Sequence, residues 1–173
     1  QSLMRNIFFY KSLKGIWGIG HILRSAFGKT NVFYQSHVRY GVLLFFAITV
    51  FLLKMLNKRG KKLCLREGIF LSFCVFFVIT PGFGVQYLSW LSFFAVMTLP
   101  VLGAVYTLIG GFFLYRVYVF WGGGVPPYFA NSIQIGKWKG FNAVLDIVVW
   151  GIIILMLIVF LIRKKQARLQ NSG

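Results

Sequence analysis

Long apolar runs separated by short polar or glycine-rich breaks organise this chain. Residues 141–162, FNAVLDIVVWGIIILMLIVFLI, run almost without polar interruption until Arg163, Lys164 and Lys165 stop them. A second run extends from about Val38 to Leu56 and ends at KMLNKRGKK, and a third from Leu65 to Thr80 is closed by Pro81 and Gly82. Residues 84–99 and 101–121 form two further apolar stretches hinged at Pro100, where the missing backbone donor and the ring clash end or kink a helix. A helix crossing the hydrocarbon core needs about 20 apolar residues, somewhat fewer inside a bundle. The pattern therefore predicts an all-α, polytopic transmembrane helix bundle with about five hydrophobic segments over residues 38–162. An interfacial segment (1–37) precedes it and a basic tail (163–173) follows.

Composition agrees: 58% of the 173 residues are hydrophobic, 19% are aromatic, and the mean hydropathy is +0.78. Soluble domains run at about 45–50% apolar. Charge adds a direction. There are 19 Lys and Arg against 2 acidic residues, a net +17, and the cations bracket the apolar runs instead of covering a soluble face. That distribution argues against a nucleic-acid partner and for membrane lipid or a phosphate-bearing lipid.

Basic loops stay on the cytoplasmic side. Lys58, Arg59, Lys61, Lys62 and Arg66 put the 57–66 loop there, and RKKQAR puts the tail there. Five alternating crossings satisfy both assignments and leave residues 1–37, the turn at 80–84 and the loop 122–140 on the outer face. Arg5, Lys11, Lys14, Arg24, Lys29 and Arg39 run against this bias, which suggests that some of them have work to do outside. The opening segment mixes aromatics, Lys and Gly too closely to span. It reads as an interfacial stretch with Tyr10 and Trp17 at headgroup level.

Candidate chemistry is sparse. Cys64 and Cys74 are too few for a disulfide framework or a zinc site and read as small buried apolar residues. His21 and His37 are single, so no metal constellation forms and no cofactor is implied. Gly122–Gly124 lack the lysine and hydroxyl residues of a phosphate loop. Glu67 follows Arg66 at the end of a span, where the basic loop is its ordinary partner. Asp146 lies inside the last apolar run, where an ionisable group is costly unless paired. Arg116 is the other intramembrane charge, so an Arg116–Asp146 pair joining the last two helices is expected. Two distant carboxylates make no acid/base pair, and no catalytic residue is assigned.

The segment PGFGVQYLSW (81–90) breaks a helix and then places Gln86, Tyr87 and Trp90 together. An amide with two rings suits a sugar or a lipid-phosphate head; from composition alone, an aromatic belt with interhelical packing is the stronger reading. The run Pro-Gly-x-x-x-Gln-Tyr-x-x-Trp, however, resembles GT-C type integral-membrane glycosyltransferases, the bacterial polyprenyl-phosphate-sugar-dependent kind. FFYKSLKGIWGIGHIL (8–23) is similar to one of their outer loops, and YVFWGGG (118–124) also fits. The resemblance covers residues 1–140 and is carried by about 25 positions, of which the Gln-Tyr-x-x-Trp run is the most specific.

The resemblance implies transfer of a mannose-like hexose from a polyprenyl-phosphate-linked sugar donor to a glycan or lipid acceptor, on the outer side of a bacterial inner membrane. It implies donor contacts at Gln86, Tyr87 and Trp90, and Arg5, Lys11 and Lys14 beside the matched loop are offered as donor-phosphate contacts. The general base of such enzymes is thought to lie in a first outer loop. This chain begins with Gln and no signal peptide, so it is expected to be a C-terminal fragment lying after that loop. The competing expectation is a small multi-span protein acting as a flippase or transporter subunit or assembly scaffold, without catalysis.

Overall fold

The computed structural model of the chain describes residues 17–57, 63–82, 87–122 and 140–170, and these residues form six helices with no strand among them. They are α1 (Gly18–Phe27), α2 (Val32–Asn57), α3 (Leu65–Ile79), α4 (Leu88–Thr98), α5 (Pro100–Gly122) and α6 (Phe141–Leu169). An all-helical membrane bundle is what the apolar runs predict.

Local sequence sets the helix ends. α1 closes at Gly28, whose positive φ of 80° lets its N–H turn back to Arg24 O at 3.0 Å. Asn31 starts α2 by accepting from Phe33 N at 2.9 Å, the usual role of an N-terminal side-chain cap. Glu67 Oε2 accepts from Cys64 N at 3.2 Å, which is half of a capping box at the start of α3. Pro100 is the first residue of α5, where a missing N–H costs nothing.

Three helices, Val32–Asn57, Pro100–Val119 and Phe141–Ala167, are long and apolar enough to cross a membrane, and the chain is a multi-pass membrane protein. They leave large apolar side chains uncovered, among them Leu43, Phe46 and Phe51 of α2 and Leu108 of α5, a surface that lipid solvates and water does not. α3, with 15 residues, and α4, with 11, extend only about 22 and 17 Å, against roughly 30 Å of hydrocarbon.

The short α3 lies at the centre of the bundle and packs on α1, α2, α4 and α6. Phe70, Leu71, Cys74, Val75 and Phe77 on it are fully buried. Two glycines permit the closest approaches. Any side chain at Gly103 of α5 would overlap the peptide joining Ala95 to Val96 of α4, and one at Gly41 of α2 would stand 2.7 Å from the Pro81 ring. Small residues at helix crossings are the expected packing device where lipid supplies no hydrophobic drive.

Several boundaries differ from the sequence expectation. α2 begins at residue 32, because Asn31 caps it and Val32–Val38 continue the helix through Arg39. α6 runs on through the basic stretch to Leu169, so most of the expected tail is helix. Cys64 is exposed where a buried residue is expected; it precedes the first turn of α3, whereas Cys74 lies inside it.

Candidate functional site at a helix break inside the bundle

The sequence Thr80-Pro81-Gly82 ends α3 in a way that strands two carbonyls. Phe76 O still receives the Thr80 amide at 2.9 Å. The next acceptor, Phe77 O, would pair with the amide of residue 81, but that residue is proline and has none. Trp17 Nε1 supplies the missing donor at 2.7 Å, and Trp150 Nε1 donates to Val78 O at 3.2 Å. Two indoles from opposite ends of the chain thus cap one broken helix. Leaving such groups unpaired in an apolar medium would cost several kcal/mol each. Gly18, with φ +50°, lets the chain turn against Trp150, since a Cβ there would lie 2.6 Å from Nε1.

Contacts between helices fix how deep this break lies. Arg116 Nε donates to Asn142 Oδ1 at 3.3 Å, and Phe112 meets Phe141 with ring centroids 6.3 Å apart, marking one end of α5 and α6. Trp150 follows Phe141 by nine residues, about 14 Å further along α6. Tyr106 precedes Arg116 by ten residues, about 15 Å. Its hydroxyl donates to Leu88 O at 2.8 Å and ties down the start of α4. The Lys164–Glu67 ion pair marks the opposite end. Both sides of the break therefore lie about 14–15 Å along the helices from these contacts, a distance close to half the hydrocarbon thickness. Irregular backbone at that depth is tolerated only where protein or a cavity surrounds it.

α1 runs from the break toward the Phe141 end of α6. Trp17 is 3% exposed and packs on Phe113 at 5.7 Å, so it is a core residue and not a headgroup anchor: the broken helix needs its N–H inside. One turn on, His21 Nδ1 lies 2.7 Å from Asp146 Oδ2. Asp146 is fully buried and His21 half-buried. His21 is thus the described partner of Asp146 in place of the expected Arg116, which goes to Asn142 instead. Glu67 pairs with Lys164 of α6; Lys58, Arg59, Lys61 and Lys62 of the basic loop lie outside the described residues.

Tyr87 and Trp90 stand together immediately after the break. Their ring centroids are 4.9 Å apart, Trp90 meets Phe73 edge-on at 6.5 Å, and Trp90 is 57% exposed. Both rings reach one end of an apolar groove of about 650 Å³ between α2, α3 and α4. Gln86, Arg5, Lys11, Lys14 and Tyr10 lie outside the described residues. Among the described residues no three His, Cys, Asp or Glu side chains gather as metal ligands.

Sequence reasoning missed the His21–Asp146 pair and the two indole caps. One signal was present: Trp17 and His21, like Asp146 and Trp150, are four residues apart and share a helical face. Among the described residues the site offers aromatic faces, apolar walls and one imidazole hydrogen-bonded to a buried carboxylate. No protein-family model, curated protein or solved structure matches the chain.

Proposed function

We propose that this chain is part of a membrane glycosyltransferase of the GT-C kind, and that it helps to hold a polyprenyl-phosphate sugar donor for transfer on the outer face of a bacterial inner membrane. One observation carries the reading. The stretch that resembles those enzymes, residues 79–90, is where the apolar bundle is broken at membrane depth and where Tyr87 and Trp90 stand beside the break. Membrane proteins that bind substrates between leaflets build their sites at discontinuous helices, because only there is backbone released from the helical ladder.

In this reading α1 lines the approach from the outer side, with His21 held by Asp146, and the rings of Tyr87 and Trp90 receive the sugar or the first isoprene units. Gln86 supplies an amide to sugar hydroxyls, and Arg5, Lys11 and Lys14 supply charge to the donor phosphate. Asp146 contacts His21 and Glu67 pairs with Lys164, and this reading assigns neither carboxylate as the general base.

The test is sugar transfer from a radiolabelled polyprenyl-phosphate hexose by the membrane-embedded protein in its natural full length. At normal expression Gln86→Ala should lower transfer several-fold, the loss of about one neutral hydrogen bond, and Lys14→Ala at least tenfold, the loss of about one charge-assisted hydrogen bond. Unchanged donor use in both variants would overturn the donor-contact assignment. No transfer from any polyprenyl-phosphate hexose by the wild type would overturn the enzyme reading.

A further inference from the structure

The groove between α2, α3 and α4 has a definite depth and a definite end. Along α3 its wall runs from Cys64 to Phe76, about 18 Å at helical rise. That is little more than half of the roughly 30 Å hydrocarbon core. Its wall reaches Asn57 and Leu65 at one end and Tyr87 and Trp90, next to the helix break, at the other, a length close to the depth of one leaflet. Its volume of about 650 Å³ falls in the range, roughly 300–1,000 Å³, that encloses a single ligand.

Two polar groups on its wall are engaged within the chain. Ser72 Oγ donates to Gly68 O at 2.8 Å, and Asn57 Oδ1 accepts from Leu63 N at 3.1 Å. Most of what the wall offers an occupant is hydrocarbon and ring faces, with the polar tips of Tyr87 and Trp90 at one end. The end at Asn57 and Leu65 differs. Lys54, next to Leu53 of the wall, and Arg66, next to Leu65, are both exposed, and neither has a carboxylate partner among the described residues. The nearby Glu67 is taken by Lys164.

We propose that this groove holds one acyl chain of an anionic phospholipid from the leaflet at the Lys54–Arg66 end, with the lipid phosphate against those two cations and the chain terminus against Phe73 and Phe76, short of the Tyr87 and Trp90 rings. By the positive-inside rule that leaflet is the cytoplasmic one. The site is a lodging for a resident lipid, reached from the face opposite to the sugar donor, and it does not rest on the sugar-transfer reading. An anionic headgroup gains roughly fivefold in occupancy for each basic residue it meets at the membrane surface.

The test uses the full chain in phosphatidylcholine vesicles doped with a phosphatidylglycerol that carries a diazirine near the end of one acyl chain; no sugar donor is present. Light should place the label on the peptides containing Phe73 and Trp90, at least tenfold more than the matching phosphatidylcholine probe does. Ser72→Trp, which fills the groove, should abolish it. Lys54→Gln with Arg66→Gln, both on the exposed surface and harmless to folding, should leave labelling but erase the preference for phosphatidylglycerol. Equal labelling by the two probes in the wild type would overturn the proposal, as would label confined to the outward faces of α5 and α6. Displacement of the label by polyprenyl phosphate but not by unlabelled phosphatidylglycerol would also overturn it, by assigning the groove to the isoprenoid.

Discussion

His21 Nδ1 and Asp146 Oδ2, 125 residues apart in sequence, meet at 2.7 Å one helical turn above the two indoles that cap α3. Trp17 and His21 on α1 thus face Trp150 and Asp146 on α6, and the four side chains fasten α1 over the helix break. His21→Leu removes the hydrogen bond to the buried Asp146 and should lower stability on unfolding in detergent. A His21→Leu variant as stable as the wild type would refute the assignment.

Because Arg116 bonds to Asn142 and His21 serves Asp146, exchanging the charges of Arg116 and Asp146 should not restore what either reversal destroys. Expression and detergent-extracted yield of the double reversal should match the worse single variant. Recovery in the double reversal would restore the Arg116–Asp146 pairing expected from sequence.

Trp17→Phe keeps an aromatic ring in the core but removes the donor to Phe77 O. The stranded carbonyl should cost about 1–3 kcal/mol, and Trp150→Phe should cost a similar amount at Val78 O. Reversible unfolding in mixed micelles gives the difference, and a loss below the error of that measurement would mean that water already satisfies these carbonyls.

The long apolar runs were legible because eighteen or more apolar residues leave little choice but a crossing. The Pro81 and Pro100 breaks were legible for an equally local reason, the missing amide. What could not be read was which apolar helices stop short. A 15-residue segment such as Leu65–Ile79 reads alike whether it crosses a membrane or is buried at its centre, and the contacts that decide are distant in sequence. Trp17 misled for a related reason. Among lysines and glycines it looks interfacial, and only the carbonyl left by Pro81, 64 residues away, explains its burial. The Tyr87–Trp90 neighbourhood was visible as a spacing of three. The pairing of His21 with Asp146 was not, since any buried cation would have answered equally well.

Gly103→Ala should be among the most damaging small substitutions, because the added methyl overlaps the Ala95–Val96 backbone. Gly111→Ala, in the same helix with open space around it, should be neutral or stabilising by about 0.5–1 kcal/mol. Thermal inactivation of the two variants side by side separates packing from helix propensity. Equal effects would mean that α4 and α5 do not touch at that crossing.

The depth of the break has its own check. A cysteine at Gly82 should resist a membrane-impermeant maleimide from either side of right-side-out and inverted vesicles, with Cys64 and Cys74 replaced by Ser. Cysteines at Lys29 and Arg66 should label from opposite sides. Rapid labelling of Gly82→Cys from the outer side would return the 80–84 turn to the surface.

Photolabelling with a polyprenyl-phosphate hexose that carries a diazirine on its first isoprene unit would decide whether the helix break receives a donor. The full-length protein in membranes should take the label on residues 77–90, with competition by unlabelled donor and loss in Trp90→Ala. Label spread over the lipid-facing sides of α2 and α6, or label on 77–90 that unlabelled donor does not reduce, would contradict a donor site there.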